Sequence, residues 1–532
     1  MRLRWLRSSF VVSVFLFAFT MISHADESKL NSGQGESPVA RPNIVFIFSD
    51  DHAYQAMSCY GSEINKTPNL DRLASSGMRF DRCLVTNSIC GPSRAVILTG
   101  KYSHLNGFRQ NGDKFDGEQV TFPKLLQQAG YQTAIFGKWH LNCEPTGFDQ
   151  WKVLPGQGVY YNPKFLTPDG EVDLEGYTTE LIGGMAIDWL KAERDQDKPF
   201  MMMVQHKAPH REWLPSLSHI NDFDGEKIAE PKTLFDDYAT RSSLLAENEM
   251  EIADHMRPAM DLRIWDANNP PAPFQNNVLN RMTEAQRKPF EEAYADENAD
   301  YLANPLEGDA RTKYYYQRYI KDYLRCIASV DDSVGQILDY LDEAGLSKNT
   351  IVIYSSDQGF YLGEHGWYDK RWIFEQSLRT PLLVRWPGVT EPGTSSKKMV
   401  SNLDFAQTFL EMAGVEAPDD MQGMSLAPIL KGEAASDWRT AFYYHYYELH
   451  THHVPAHEGV VTDRYKLIHY YQKLNADRKP VEIDDWDLMD LGRDPLEVRS
   501  FIDESDYAGL RDDLKKDLAR LRMQFQVDPQ PE

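Results

Sequence analysis

The sequence predicts an α/β fold in which helices sandwich a large mixed, mostly parallel sheet, followed by a smaller C-terminal α+β domain. Continuous apolar, β-branched runs such as residues 43–49 are typical of strands that are buried on both faces of a parallel sheet. Helical segments separate these runs, and this alternation favours parallel strands joined by helical crossovers. From about residue 425 the pattern changes to short strands and one final helix. We therefore place the larger domain at residues 41–424 and the smaller one at residues 425–532.

The first 25 residues are typical of a cleaved signal peptide. A start rich in arginine is followed by an apolar run over residues 10–20, too short to span a membrane, and by small residues that end at Ala25. We therefore predict a periplasmic or secreted protein with no membrane insertion after cleavage; an uncleaved anchor is the alternative. Residues 26–40 are rich in Asp, Ser, Gly and Pro, which predicts a flexible leader.

Composition argues against two classes of partner and one class of scaffold. The formal net charge of −24 argues against a nucleic acid or an anionic membrane as a partner. An anionic substrate must then be held by local cations, because the overall field repels it. Five cysteines are few for an exported protein of this length, so a disulfide scaffold is not expected. One or two disulfides could still form among Cys59, Cys83, Cys143 and Cys326.

Carboxylates follow the predicted strand at residues 43–49, which ends in Asp50 and Asp51. Two adjacent carboxylates at the end of a buried strand repel each other unless something neutralises them, and a hard cation such as Ca²⁺ does so with oxygen ligands. The alternative for this pair is a solvated turn or a helix cap. A later buried strand, residues 350–355, likewise ends in an acidic and an amide side chain, Asp357 and Gln358.

A cysteine begins the next feature, the segment Cys90-Gly91-Pro92-Ser93-Arg94, which continues as an apolar run closed by Thr-Gly. Pro92 suits the first turn of a helix, so the pattern places a reactive group in front of a helix N-terminus. The free N–H groups and the dipole of that end favour an anion. The alternative is a buried or disulfide-bonded cysteine.

Basic side chains follow two further strands. The predicted strand at residues 132–136 runs into Lys138 and His140, which alternate along the chain and point the same way if the backbone is extended. A surface lysine and a capping histidine are the alternative for these two. The strand at residues 200–204 delivers His206 at its carboxyl end.

Two segments break the pattern of alternating strands and helices. Residues 215–310 are acidic and rich in Asn and Pro, with weak periodicity, and we interpret them as an insertion beside the site or a surface excursion. The histidine-rich stretch 445–457 could suggest a metal site, but its irregular spacing and its tyrosines favour a substrate-lining or exposed loop.

The strands that carry these polar residues should bring them together. Ligands of parallel α/β sheets bind at the carboxyl ends of the strands, and every residue singled out above lies at such an end or in a loop that follows one. We therefore expect a single site, to which the loop containing Lys370 also contributes.

With these residues in place, the chain resembles, from about residue 41 to 500, the type I (formylglycine-dependent) sulfatases, a family of the alkaline phosphatase superfamily. The resemblance implies that a separate maturation enzyme oxidises Cys90 to formylglycine, whose hydrate Arg94 would stabilise. It also implies one Ca²⁺ ion. The implied metal ligands are Asp50, Asp51, Asp357, Gln358 and the modified Cys90. Gln358 departs from the Asn or His commonest in the family, so its oxygen lies on a longer side chain than that of Asn.

The remaining roles also come from the resemblance. Lys138 and Lys370 would clamp the sulfate oxygens, while His140 and His206 would be the two active-site histidines, with His210 as the alternative to His206. One hydroxyl of the hydrate would attack sulfur, and the second would let the enzyme expel sulfate by returning to the aldehyde.

The implied substrate is a sulfated carbohydrate. The segments Gly137-Lys138-Trp139-His140 and Asp369-Lys370-Arg371 resemble those of bacterial exported glycan sulfatases, the nearest groups being the N-acetylglucosamine-6-sulfatase-like and iduronate-2-sulfatase-like enzymes. The sequence does not select the sugar, the ring position or the polymer. Two alternatives stay open: a phosphomonoester or phosphodiester hydrolase on the same fold, and a non-catalytic glycan-binding homologue.

Overall fold

The computed structural model describes residues 41–265, 279–433 and 436–527. The predicted signal peptide and leader lie outside the described residues. The compact unit to which the described residues belong begins at Arg41. Within the described ranges, every helix is too short or too polar to cross a membrane.

The strands are, in chain order, β1 (Asn43–Ser49), β2 (Met78–Phe80), β3 (Cys83–Leu84), β4 (Gln132–Lys138), β5 (Gln150–Leu154), β6 (Lys164–Thr167), β7 (Gly170–Asp173), β8 (Phe200–His206), β9 (Thr350–Ser356), β10 (Arg379–Thr380), β11 (Leu382–Arg385), β12 (Thr394–Ser396), β13 (Val400–Ser401), β14 (Ala441–Tyr446), β15 (Ala456–Thr462), β16 (Tyr465–Leu474) and β17 (Pro480–Asp490). Ten of them form one sheet in the order β12-β2-β11-β9-β1-β8-β4-β5-β6-β7, and β10, β3 and β13 form a small second sheet.

The centre of the large sheet is parallel. Strand β1 pairs in parallel with β8 and β9, and β8 pairs in parallel with β4, which pairs in parallel with β5. Ser49, the last residue of β1, lies opposite both His206 and Ser356, the last residues of β8 and β9. The carboxyl ends of three strands therefore finish at the same level. Strands β11, β6 and β7 pair antiparallel, so the sheet is mixed, as predicted.

The helices are, in chain order, α1 (Pro68–Ser75), α2 (Cys90–Thr99), α3 (Ser103–Asn106), α4 (Phe122–Gln128), α5 (Thr178–Asp188), α6 (Pro258–Asp261), α7 (Glu284–Ala303), α8 (Gly308–Glu343), α9 (Glu375–Leu378), α10 (Phe405–Met412), α11 (Ala427–Leu430) and α12 (Ala508–Gln524). Alternate side chains of β1 enter two different cores, so Val45 packs with α1, α5, α7 and α8. Phe46 packs on the opposite face with α2, α4 and α10. The predicted sandwich of helices around the sheet is confirmed.

The C-terminal part forms an antiparallel sheet in the order β14-β15-β16-β17. Helix α12 packs against this sheet through Leu514, Leu518 and Leu521, in a core that also receives Val96 from α2. The smaller α+β element is thus present as predicted, and it packs directly behind the helix that begins at Cys90. The exact domain boundaries stay a prediction.

The segment 215–310 contains more regular structure than its weak periodicity indicates. Helix α7 lies within it and begins with a capping box in which Thr283 and Gln286 bond each other's backbone N–H groups. Its buried residues are Phe290, Tyr294 and Asn298, a narrow stripe that includes one amide. This stripe is too short and too polar to give the periodicity by which an amphipathic helix is recognised.

Candidate active site

The polar residues predicted to converge lie together at the carboxyl end of the parallel strands. Asp50 and Asp51 directly follow β1, Asp357 follows β9, and Lys138 is the last residue of β4. All four are at most 1 % exposed, and helix α2, which begins at Cys90, is buried along its whole length. Because the register places the ends of β1 and β9 side by side, the three carboxylates face one another.

The three carboxylates are arranged as ligands of one ion. One oxygen from each of Asp50, Asp51 and Asp357 lies within 4.8 Å of the others. Gln358 donates its Nε2–H to Oδ1 of Asp51, which leaves its oxygen free. Oε1 of Gln358 and Oδ1 of Asp50 are both buried and have no hydrogen-bond partner in the described part of the chain. Unmet buried acceptors in an all-oxygen set are what a hard divalent cation requires, so these residues fit Ca²⁺.

The pKa values of the three carboxyl groups diverge. Burial alone would raise the pKa of Asp50, but the charges of Lys138, His210 and Arg94 hold it well below its usual range. Burial raises the pKa of Asp51 to about 6 against the pull of Lys370. Burial and the Asp50 charge raise the pKa of Asp357 to about 7. Ionisation of all three carboxyl groups is therefore unfavourable unless a further positive charge is bound.

Three cations surround these carboxylates. Lys138 forms an ion pair with Asp50, and Nζ of Lys370 lies 2.8 Å from Oδ2 of Asp51. The Arg94 guanidinium donates to Oδ2 of Asp357 through Nε at 3.2 Å and Nη2 at 3.0 Å. The formal charges of the three carboxylates and the three cations therefore cancel. A divalent ion would make the set positive and able to attract an anionic ester.

The backbone that carries Lys138 requires a glycine. Gly137 has a φ of 108°, and a Cβ there would overlap the carbonyl oxygen of Gln205 on β8. Gln205 in turn accepts from Nη1 of Arg94 at 2.8 Å, and the same nitrogen donates to the Lys138 carbonyl at 2.7 Å. The close approach of β4 and β8 therefore positions both Lys138 and Arg94.

Cys90 is a buried free thiol beside the carboxylates. Its Sγ lies within 4.8 Å of ligand atoms of Asp50 and His210. Burial and the Asp50 charge raise the pKa of the thiol, so the unmodified side chain is neutral and a weak nucleophile. The other four cysteines, Cys59, Cys83, Cys143 and Cys326, are also free. The one or two disulfides for which the sequence left room are therefore absent from this structure.

Of the two histidines at and after the end of β8, His210 rather than His206 lies beside the carboxylates. Nε2 of His210, the alternative candidate, lies 3.8 Å from Oδ2 of Asp51. Its Nδ1 lies 2.5 Å from the Arg211 carbonyl, which accepts only, so Nδ1 carries the proton and Nε2 is the free acceptor. Burial and Lys138 hold the pKa of His210 well below its usual value.

His206 lies at the end of β8 but outside this cluster. Gln205 points towards Arg94, and because side chains alternate along a strand, His206 points to the other face of the sheet. Neither ring nitrogen has a hydrogen-bond partner among the described residues. Burial alone lowers the pKa of His206 to about 3, with no contribution from a charged group. The geometry therefore favours His210 over His206 as the second histidine of the site.

His140 lies in the site, although not through the extended backbone that the sequence suggested. Strand β4 ends at Lys138, and His140 has a φ of 57°, in the left-handed region. Its Nδ1 is buried without a hydrogen-bond partner among the described residues. Burial and the neighbouring Lys138 hold its pKa well below the usual value. On its other side His140 lines a cavity of about 450 Å³ with Trp139 and Trp151.

Sequence reasoning missed three polar neighbours of the site. Gln205 contacts Arg94, Gln157 accepts from Nζ of Lys138 at 2.5 Å, and Lys207 lies with Nζ 3.3 Å from the Arg211 carbonyl. Burial lowers the pKa of Lys207 to about 8. Lys207 lies between His206 and His210, two residues already singled out from the sequence, so proximity in sequence was its only signal.

The histidine-rich stretch does not form a metal site in the described chain, since the candidate metal groups contain none of its members. His457 is buried and its Nδ1 bonds the Pro455 carbonyl. His452 lies 3.5 Å from Asp369, next to Lys370. Part of the stretch thus borders the site, which agrees with its interpretation as a lining loop.

Comparison with known proteins identifies the family to which this site belongs. The sequence matches the "Sulfatase" family over residues 42–415 and the family "N-sulphoglucosamine sulphohydrolase, C-terminal" over residues 363–524. It is 44 % identical over 494 residues to N-acetylglucosamine-6-O-sulfatase of Bacteroides thetaiotaomicron, a match that covers 91 % of this chain and 87 % of the relative. Human N-acetylglucosamine-6-sulfatase is 27 % identical over 428 residues, covering 75 % of this chain and 66 % of the relative.

A solved structure of a complex with D-glucosamine-2-N,6-O-disulfate, named there as the substrate, superposes with a TM-score of 0.88 at 44 % identity. The match covers 92 % of this chain and 99 % of the other. The family match spans the strands, the Cys90 helix and the acidic cluster described above, and the 44 % identical relative extends over nearly all of the chain. The chain therefore belongs to the sulfatase family and is a sulfuric ester hydrolase.

Proposed function

We propose that this enzyme hydrolyses sulfate esters of carbohydrates at Cys90, and that 6-O-sulfated glucosamine units are the first substrates to test. The observation that carries the proposal is the placement of a buried cysteine at a helix start, beside Asp50 and His210 and within reach of the charges of Lys370 and Lys138. The names of the 44 % identical relative and of the substrate complex support the choice of sugar.

We further propose that a separate maturation enzyme oxidises Cys90 to formylglycine and that one Ca²⁺ ion binds Asp50, Asp51, Asp357 and Gln358. Hydrated formylglycine supplies two hydroxyls on one carbon, one to attack sulfur and one to release sulfate. The ion, when bound, offsets negative charge on the attacked group. The neutral, buried state of the Cys90 thiol supports the need for this modification.

The chain's own cations bind and orient the ester. Lys138 and Lys370 pair with the adjacent carboxylates Asp50 and Asp51, and we assign to them the binding of the sulfate oxygens. Arg94 is held rigidly by Asp357, Gln205 and the Lys138 carbonyl, so it fixes the position of the side chain at residue 90. Preorganised charges of this kind act without reorganisation in the transition state.

Two histidines are placed to move protons. We assign the delivery of a proton to the leaving sugar oxygen to His210, whose Nε2 faces the carboxylates while Nδ1 is fixed by the Arg211 carbonyl. Nε2 carries no proton in the free enzyme, so it would take one up from water as the anionic ester binds, because the negative charge of the ester favours the protonated ring. His140, with a low pKa and a free Nδ1, is suited to take a proton from the side chain at position 90. Asp357, whose pKa is raised to about 7, is a second proton acceptor at that side chain.

A substrate panel tests the activity. Purified protein, produced with a maturation enzyme and checked by peptide mass for conversion of Cys90, is assayed on sulfated mono- and disaccharides and on matched aryl sulfate and aryl phosphate esters. We expect sulfate release from 6-O-sulfated glucosamine units and loss of that release in Cys90→Ala. Faster phosphate release would support the phosphoester hydrolase alternative. Unchanged release in Cys90→Ala would overturn the nucleophile assignment, and glycan binding without any hydrolysis would favour the non-catalytic alternative.

Chelation tests the metal assignment independently of turnover. Removing a divalent ion leaves three carboxylates facing one another, so the apparent melting temperature should fall and recover on adding Ca²⁺. Elemental analysis should find one calcium per chain. Gln358→Leu, which removes the unpartnered oxygen, should need about 10–100-fold more calcium for the same recovery. A melting temperature that does not respond to chelator or calcium contradicts the site.

A further inference from the structure

A second group of cations surrounds a cavity of about 550 Å³ that shares no lining residue with the active site. We call it the cationic cavity and define it by Arg79, Arg82, Arg379 and Lys397. Arg79 lies on β2, Lys397 follows β12 and Arg379 begins β10, so the cavity lies where the edge of the large sheet meets the C-terminal sheet. Asp463, in the turn between β15 and β16, completes that side.

Four cations line the cationic cavity against three carboxylates, Asp81, Glu375 and Asp463. Arg79 is paired with Asp81 at 2.8 Å, but no ion pair involves Arg82, Arg379 or Lys397 within the described residues. Two further carboxylates line the cavity. Glu375 makes its ion pair with Lys466, at 3.3 Å, and Asp463 has none within the same residues. Arg82, Arg379 and Lys397 thus have no ion pair within 4 Å among the described residues, although Arg82 and Arg379 lie close enough to Glu375 to lower its pKa, and the lining keeps a net positive charge in a chain whose net charge is −24.

The two unpaired arginines also have unmet donors. Arg82 donates from Nη2 to the Thr462 carbonyl at 2.6 Å and from Nη1 to the Asp463 carbonyl at 3.0 Å, and its Nε has no partner among the described residues. Arg379 lies with its guanidinium carbon 3.9 Å from the centre of the Tyr54 ring, and its Nε is also buried and unpartnered. Leaving charged donors unsatisfied is unfavourable, and a bound oxyanion would satisfy them.

We propose that the cationic cavity binds a second anionic group of the substrate, a sulfate half-ester on another sugar of an extended sulfated glycan. This inference rests on the proposed function. A guanidinium fork matches the oxygens of a sulfate group, and the ring of Tyr60, which lines the cavity, offers apolar surface for a sugar. Tyr60 lies nine residues after Asp51, so the stretch that follows β1 runs from the active site to the cavity wall. The cavity therefore adds affinity for sulfated chains without taking part in the reaction.

The test compares ligands of different length on the same variants. Arg379→Gln and Lys397→Gln each remove one cavity charge, and Lys288→Gln, an exposed side chain on α7, is the control with the same charge change. Binding is measured by calorimetry in the Cys90→Ala background, with inorganic sulfate, a polysulfated tetrasaccharide and the same tetrasaccharide without sulfate. Hydrolysis of a sulfated monosaccharide is measured in the Cys90 forms. Lys397 is exposed, so its substitution leaves folding intact and keeps the test usable if Arg379→Gln is destabilised.

We expect each cavity variant to bind the sulfated tetrasaccharide about tenfold more weakly, the cost of one charged hydrogen bond, with a smaller dependence on salt. Monosaccharide turnover should stay within twofold of the control. Equal tetrasaccharide binding by cavity and control variants would overturn the proposal. Inorganic sulfate binding as tightly as the tetrasaccharide would also overturn it, because the ligand would then be the free ion. Because binding is measured without turnover, failure of the sulfatase assignment and failure of the cavity give different results.

Discussion

Two buried lysines, one at the carboxyl edge of the large sheet and one in the C-terminal sheet, have opposite surroundings. Lys138 is 0 % exposed and pairs with Asp50, whose other oxygen has no partner among the described residues. Lys466 is also 0 % exposed and lies 2.5 Å from Oε1 of Glu497. The second oxygen of Glu497 accepts the Glu375 backbone N–H at 2.7 Å. The Asp50 carboxylate thus has one oxygen without a partner within the described ranges, whereas both oxygens of Glu497 have one.

This comparison distinguishes buried polar groups that stabilise the fold, whose oxygens all have partners, from buried polar groups that are arranged to bind a ligand. A satisfied buried pair contributes to specifying how two elements pack, and it loses most when one partner is removed. A cluster with unpartnered buried oxygens persists only because the surrounding sheet fixes its members. Its free acceptor oxygens indicate where a ligand binds. In this enzyme Asp50 and Gln358, at the ends of β1 and β9, form an incomplete set of oxygens at one point, whereas Glu497 in the C-terminal part has both oxygens paired.

The largest effect is expected from removing the lysine at the incomplete set. Lys138→Met should lower turnover of a sulfate ester by about 10²–10³-fold, since one preorganised charge on the sulfate oxygens is lost. Steady-state kinetics with calcium present measures this, and circular dichroism checks that the fold is retained. A variant that keeps more than a tenth of wild-type turnover would refute the role of Lys138 in the reaction.

The matched substitution in the C-terminal sheet should act on stability instead. Lys466→Met leaves Glu497 and Glu375 without their cation, which should lower the free energy of unfolding by about 3–5 kcal/mol. Denaturant unfolding measures the loss, and turnover per folded molecule should match wild type. Adding Glu497→Gln to Lys466→Met should restore part of the stability. A fall in turnover with unchanged stability would instead place Lys466 among the groups that serve the reaction.

Much of the fold and the site could be predicted because strand ends carry strong signals. Buried apolar runs identify β1, β8 and β9, and the parallel arrangement brings the residues after them to one edge. The positions of Asp50, Asp357 and Lys138 followed from this rule alone. The C-terminal sheet was also predicted, because the pattern changes to a series of short strands after about residue 425.

The remaining features depend on geometry that the sequence does not encode locally. His206 ends a strand, as expected of a site residue, but its side chain points to the wrong face, while His210 reaches the carboxylates from the loop beyond. Because side chains alternate between the two faces of a strand, a shift of one position decides whether a histidine faces the site. The pattern of apolar residues in the sequence does not show which face carries the site. Helix α7 was missed because its buried stripe is narrow. The cationic cavity joins residues from five separate segments, and such a juxtaposition appears only in the folded chain.

The smallest effect is expected at Glu458, a satisfied carboxylate of the C-terminal sheet that is 2 % exposed. Burial alone would raise its pKa, but a hydrogen bond to His469 and the charges of His445 and Arg522 lower it to about 2. Since this pKa lies below the unfolded value, the ionised group stabilises the fold above about pH 4.5, and that contribution is lost as the pH falls towards 2. Glu458→Gln should therefore cost up to about 3 kcal/mol at pH 6.5.

The pH dependence distinguishes this contribution from simple loss of packing. The difference in unfolding free energy between wild type and Glu458→Gln should be constant from pH 7 to about 5 and should shrink at pH 3.5, because the carboxyl group then takes up a proton in the unfolded chain, while in the folded chain, where its pKa is about 2, it stays ionised. Glu482→Gln, at an exposed position on β17, serves as the control and should show little difference at either pH. A difference that stays the same at pH 3.5 would mean that Glu458 acts through shape alone, and the distinction between satisfied and incomplete carboxylates would then lose its electrostatic basis in this sheet.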